Sequence, residues 1–405
     1  MESKINPVVS GTVTSPRGFY AGAVYSGIKQ SADGVLDLGI LLSQVKCVAA
    51  ALFTNNKVKA APVVLSRERI RFGKTAGVVV NSGCANAATG EPGLADAAEM
   101  AELAAAKIGV SSEDVLVAST GVIGERLPMN LIREGIGRIN PSENGGHDLE
   151  KAIMTTDTVP KETAVTARAG DARFTIGGVA KGSGMIHPDM GTMLCFLTTD
   201  AAVDKDFLDA ALRRAANISF NMVSIDGDTS TNDMVLVMAN GLAGNDMISA
   251  SSGLVDIFQQ ALNRVCVYLA RELARDGEGA TRLIEVTVSG GADTADARQT
   301  ARTVANSYLV KSAVHGSDPN WGRVMAAAGR SGAAMVEAKT DLYIGDICLV
   351  RGGAPLPFDR EAVVAALSND EVRIDLRLNL GDGEATAWGC DLSEEYVTIN
   401  SQYTT

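Results

Sequence analysis

Aromatic residues make up only 4% of the chain, histidines number three, and no stretch of about twenty apolar residues runs uninterrupted. The last absence excludes a membrane-spanning helix of ordinary length. Residues 1–11 (MESKINPVVSG) carry charge but no apolar segment ahead of a small-residue cleavage site, so export is not expected and a cytoplasmic location is. Positive charge is in deficit as well. A net charge of −12 leaves no clustered basic footprint for a nucleic acid backbone. The six cysteines stand singly, without a CxxC pair, and no histidine lies at metal-ligand spacing from them. They read as reduced thiols, mostly buried. A nucleophilic Cys195 served by His187 is conceivable, but a cysteine inside the apolar run 193–197 more often packs a core.

What is abundant is alanine, valine and glycine over 405 residues, long enough for two packed halves. Residues 76–81 (AGVVVN) read as a buried strand, residues 94–108 as a helix stopped by Gly109, and residues 115–118 as a strand ending at Ser119-Thr120-Gly121. A helix is expected from Val203 to about Ile218. A longer one, over 254–273, aligns Leu254, Ile257, Phe258, Ala261, Leu262, Val265, Leu269 and Leu273 on one face. Residues 284–289 and 372–380 alternate apolar and polar side chains, the period of half-buried strands, and the tail 396–405 is expected to return as a strand. The fold class is therefore α/β with mixed α+β layers, two of them meeting near residue 190.

The densest cluster of unusual residues is KGSGMIHPDMGT at 181–192. Lys181 precedes the glycines instead of following them, which excludes a phosphate-binding loop. A structural turn into a core strand remains open, and so does self-processing. Opening the bond between Gly191 and Thr192 would give Thr192 both a hydroxyl and an α-amine of pKa about 7.7 to 8.0, a base that needs no histidine. Gly191 supplies the backbone freedom for an N→O acyl shift. Thr120 with Gly121 offers a hydroxyl and an N–H for one oxyanion, although the tripeptide is also a common turn.

Seven ordered segments together resemble the ornithine acetyltransferase family of arginine biosynthesis: 181–194, STGVIG at 119–124, TTDT at 155–158, DGDTSTND at 226–233, DGEGAT at 276–281, DPNWGR at 318–323 and the tail YVTINSQYTT. The resemblance covers nearly the whole chain. It implies a sandwich of central sheets flanked by helices, comparable to N-terminal-nucleophile hydrolases, made as one chain and self-cleaved into 1–191 and 192–405. The fragments stay together, commonly as a heterotetramer of two α and two β chains. By the same resemblance Thr192 is the nucleophile, Thr120 and Gly121 form the oxyanion hole, and Thr155, Lys181, Glu278, Asn400 and Thr405 bind substrate. The implied reaction moves acetyl from N2-acetylornithine to glutamate without metal or cofactor, with acetyl-CoA as a second donor in some members. Where relatives more often carry alanine, and small or amide residues, this chain has Gly191, and His187, Asp189 and Cys195.

Two other readings stand beside it. Asp226 and Asp228 loosely match the nucleophile loop of a metal-dependent phosphohydrolase, in which two carboxylates hold Mg²⁺. An uncleaved chain would instead serve as a non-catalytic amino-acid-binding protein.

Overall fold

The computed structural model describes residues 3–30, 34–187 and 193–402. Gly191, Thr192, Asp189 and Thr405 therefore lie outside the described residues. The described chain forms two sheets with helices between and around them, the mixed α/β architecture expected. The larger sheet runs in the order Ser3–Pro7, Glu162–Ala169, Ala172–Lys181, Leu194–Thr199, Met234–Ala239, Leu38–Phe53, Lys74–Cys84, Val115–Val122, with Phe19–Val24 paired to part of Leu38–Phe53. The smaller sheet contains Leu283–Gly291 between Glu371–Arg377 and Gly383–Cys390.

The centre of the larger sheet is apolar because both of its faces are covered. Along Leu194–Thr199, Leu194 and Phe196 point into one core while Cys195 and Leu197 point into the other. A period of two with two dry sides gives a continuous apolar run. On one side the helix Val255–Arg275 lies between the sheets, touching Glu162–Ala169 and Ala172–Lys181 on one flank and Leu283–Gly291 and Gly383–Cys390 on the other. The expected face of that helix is the buried one, and Phe258 meets Phe174 and Phe207 at 5.8 Å each. The helix Lys205–Asn217 packs beside it, opened by Asp204, whose carboxylate accepts from the N–H groups of Asp206 and Phe207 at 3.1 Å.

The two layers do not divide near residue 190. Ala172–Lys181 and Leu194–Thr199 are antiparallel neighbours in one sheet, and the chain passes to the second sheet only after Val255–Arg275. The tail also differs from expectation. Residues Glu394–Gln402 form a helix, not a strand. Tyr396, Val397, Thr398 and Ile399 suggest extended structure by propensity, but Glu394 and Glu395 suit a helix start and His315 reaches Glu394 at 3.4 Å. Helix Gly90–Ile108 ends as expected at Gly109, at φ +75°.

Candidate active site

The cleft follows from where the strands of the larger sheet end. Val115–Val122 runs on through Thr120 and Gly121, parallel to Lys74–Cys84, with an irregularity at Gly83, Cys84 and Gly121. Gly121 has φ +125°, and a Cβ there would lie 2.3 Å from the Gly83 carbonyl carbon. No other residue fits this close approach.

Lys181 closes Ala172–Lys181 and is buried, 8% exposed. Its ammonium donates to Thr155 Oγ1 at 2.7 Å and to Thr120 Oγ1 at 3.3 Å. Because Thr120 accepts from Lys181, its own hydroxyl proton is available to the cleft. Burial pushes the Lys181 pKa down, against the opposing pull of Asp157 at 4.0 Å.

Asp157 is the hub beneath. It accepts from Lys161 Nζ at 2.7 Å, from the Gly182 N–H at 2.6 Å and from the Thr155 N–H at 2.9 Å. Burial works against its charge, but Lys181, Lys161 and these hydrogen bonds prevail and hold it at about 2. Lys181 is itself driven toward neutrality, so Lys161 is the firmer counter-ion. Lys161, fully buried, also reaches Asp276 at 2.5 Å.

Glu278 forms the other wall. Its Oε1 accepts from Thr156 Oγ1 at 2.7 Å and its Oε2 from Asn400 Nδ2 at 2.8 Å. A Cβ on Gly184 would stand 2.4 Å from that carboxylate, so the glycine is what lets Glu278 approach.

Thr120, Gly121, Thr155, Lys181, Glu278 and Asn400, six residues singled out in the sequence, thus line one cleft of about 110 Å³ that also touches Met193, the residue after Thr192. Thr192 and Thr405, the other two of the expected set, lie outside the described residues. Sequence reasoning missed Asn232 and Asp233, although both lie inside the motif at 226–233. Asn232 Nδ2 donates to the carbonyls of Ala85 and Ser119 and fixes the entry to the Thr120 strand. Asp233 is 4% exposed, its Oδ2 meets no hydrogen-bond partner among the described residues, and burial pushes its carboxyl well above the usual range.

Two rival assignments lose their residues. Asp226 spends its carboxylate on the N–H groups of Met185, Ile186 and Asp228, and among the described residues no three His, Cys, Asp or Glu gather as metal ligands. Cys195 is fully buried, which drives its thiol well above the ordinary value, so it packs and does not attack.

With this geometry in view, the ArgJ family pattern matches residues 20–405. The chain belongs to the ArgJ family. It is 52% identical to the arginine biosynthesis bifunctional protein ArgJ of Dehalococcoides mccartyi (strain CBDB1) over the full length of both chains. It is 46% identical to that of Bacillus subtilis (strain 168), over 98% of this chain and 97% of the relative. The crystal structure of the arginine biosynthesis bifunctional protein ArgJ from Bacillus halodurans superposes with a TM-score of 0.52 at 45% identity, covering 52% of this chain and 100% of that one. The resemblance carried by the seven motifs is thus ArgJ family membership. Among the described residues no helix is long and apolar enough to cross a membrane.

Proposed function

We propose that this chain is the acetyltransferase of arginine biosynthesis that moves acetyl from N2-acetylornithine to glutamate through an ester on Thr192, with acetyl-CoA as an alternative donor. The observation that carries the reading is the convergence of Thr120, Gly121, Thr155, Lys181, Glu278 and Asn400, drawn from five separate motifs, on one cleft beside Met193. The chain opens itself between Gly191 and Thr192, giving 1–191 and 192–405. A solved relative matched along its whole length spans only 52% of this chain, which supports a mature enzyme made of two pieces. The pieces assemble as two α and two β chains, and the enzyme is cytoplasmic.

In the first half-reaction the Thr192 hydroxyl attacks the acetyl carbonyl while its proton passes to its own α-amine. Thr120, its hydroxyl freed by Lys181, and the Gly121 N–H receive the negative oxygen of the tetrahedral intermediate. The C–N bond breaks, the departing amine takes the proton, and ornithine leaves. Glutamate then attacks the ester by the same route in reverse. Glu278 keeps unused lone pairs beside Thr156 and Asn400 for the substrate's ammonium, and Thr155, Asn400 and Thr405 complete the polar contacts.

Incubation with N2-acetylornithine alone should release ornithine and add one acetyl mass to the fragment that begins at Thr192. Double-reciprocal plots should be parallel as glutamate is varied. Intersecting lines with no acetylated fragment after rapid quenching would replace the covalent route by direct transfer.

A further inference from the structure

The larger sheet turns over on itself. Strand Leu38–Phe53 pairs with Lys74–Cys84 up to Leu42 and again at Cys47, with its register broken in between, and from Val48 onward it pairs with Met234–Ala239. Leu41, Val78, Leu116 and Ala118 from one half share a core with Leu194, Phe196, Leu236 and Met238 from the other. Met193 thus leads into a strand of one layer, whereas Thr120 and Gly121 lie near the end of a strand in the layer that faces it. Facing layers stand about 10 Å apart. An oxyanion donor has to lie about 3 Å from the reacting oxygen, and strand pairing within either layer does not fix that distance.

At this end the gap is crossed by the loop that leads into Met234–Ala239. Met234 donates its N–H to Met193 O at 2.9 Å, which anchors the loop beside the residue that follows Thr192. Thr54 steadies it from the same layer, giving its N–H to Asp233 O at 3.1 Å and its hydroxyl proton to Ser230 O at 2.7 Å. Asn232, two residues before Met234, reaches the opposite layer, where its Nδ2 donates to Ala85 O at 2.7 Å and to Ser119 O at 2.8 Å. Those carbonyls belong to the two neighbouring chain segments whose ladder is irregular at Gly83, Cys84 and Gly121, and Ser119 immediately precedes Thr120. The Asn232 oxygen accepts from Thr231 Oγ1 at 2.6 Å, so both amide protons are spent on the facing layer and neither is left for a substrate. At 6% exposure, Asn232 makes these bonds away from water.

We infer that Asn232 is a positioning residue for acetyl transfer, holding the oxyanion donors of Thr120 and Gly121 at the distance the Thr192 hydroxyl requires, a role that rests on the acetyl-transfer reading above. Cleavage between Gly191 and Thr192 leaves Ala85, Ser119, Thr120 and Gly121 in one fragment and Met193 and Asn232 in the other, so no backbone bond joins the two halves of the site. The spacing then depends on a short path of hydrogen bonds, from Met193 to Met234 and from Asn232 to Ser119. A shift of about 1 Å along this path misplaces the donors and costs on the order of 10²-fold in rate. The same donors serve the tetrahedral intermediates of both half-reactions, so acetylation and deacetylation slow alike. Asn232 spends both amide protons on backbone carbonyls, so saturation with substrate is unaffected.

Rapid quenching tests the role by following the acetyl mass on the processed fragment that begins at Thr192, first with N2-acetylornithine alone and then after glutamate is added. Asn232→Ala should lower both rate constants by about 10²-fold, with the amplitude and the half-saturating N2-acetylornithine concentration unchanged. Thr54→Val removes the hydroxyl bond to Ser230 from outside the cleft and should lower both rate constants by a smaller factor. It decides the matter alone if Asn232→Ala stays uncleaved. Thr120→Val combined with Asn232→Ala should cost little more than the larger single loss, because one residue acts through the other. Unchanged rate constants, a loss confined to amplitude or half-saturation, or additive losses with Thr120→Val would overturn the role of Asn232 and leave the proposed function standing. Wild-type enzyme that forms no acetylated fragment would remove the proposed function itself, and the role of Asn232 with it.

Discussion

Asn400 Nδ2 donates to Glu278 Oε2 at 2.8 Å although 122 residues separate them in sequence. The contact brings the C-terminal helix over the cleft and orients the carboxylate expected to hold the substrate's ammonium. Asn400→Ala loses one hydrogen bond to a charged group, about 1.5–3 kcal/mol. The KM for N2-acetylornithine should rise roughly tenfold or more, with a smaller change in kcat. Steady-state kinetics showing an unaltered KM would detach the helix from substrate binding.

Thr192→Ala removes the hydroxyl needed for both the acyl shift and acetyl transfer. Intact-mass measurement should find one full-length chain, and transfer should be absent with every donor. Normal processing of this variant would mean that another residue or a protease makes the cut.

Gly121→Ala places a methyl group against the Gly83 backbone, at a φ of +125° that alanine rarely adopts. The strand end must shift, and with it Thr120 and the Gly121 N–H. By analogy with the loss of one oxyanion donor, kcat should fall by about 10²–10³. Retained kcat in folded protein would place the oxyanion donors elsewhere.

Lys161→Met strands Asp157 and Asp276, both buried, without their shared cation. Breaking such a pair costs about 3–5 kcal/mol. Urea unfolding should show a loss of that order at neutral pH, and a midpoint close to wild type would show that Lys181 alone suffices.

Asp157 also gives the acid limb a sign. Its folded pKa of about 2 lies below the ordinary aspartate value of about 3.9, so the folded state favours the charged carboxylate. The resulting stability, about 2–3 kcal/mol, is fully present above pH ~4 and is lost as pH falls through ~2. In Asp157→Asn that loss is already incurred at neutral pH, so between pH ~4 and ~2 its unfolding midpoint should fall less than that of wild type. Parallel curves would show that Asp157 carries no such charge in the folded protein.

The sequence by itself determined the local and chemical layer of this protein. Helices and strands with strong periodicity, such as 254–273 and 284–289, were legible because one face must meet a core. The cleft residues were legible through the resemblance of seven ordered motifs to a known family, which composition alone does not supply. Tertiary structure decided the rest. Tyr396 to Ile399 carry strand propensity, yet His315 and Glu278 hold that segment as a helix, because contacts from elsewhere outweigh a weak local preference. The sheet runs unbroken past residue 190 because neighbouring strands pair through their backbones, which carry no sequence signature. Asp233 in the sequence is one acidic residue among 48 Asp and Glu. Only the packing around it, which removes water from its carboxyl, pushes its pKa up beside the cleft.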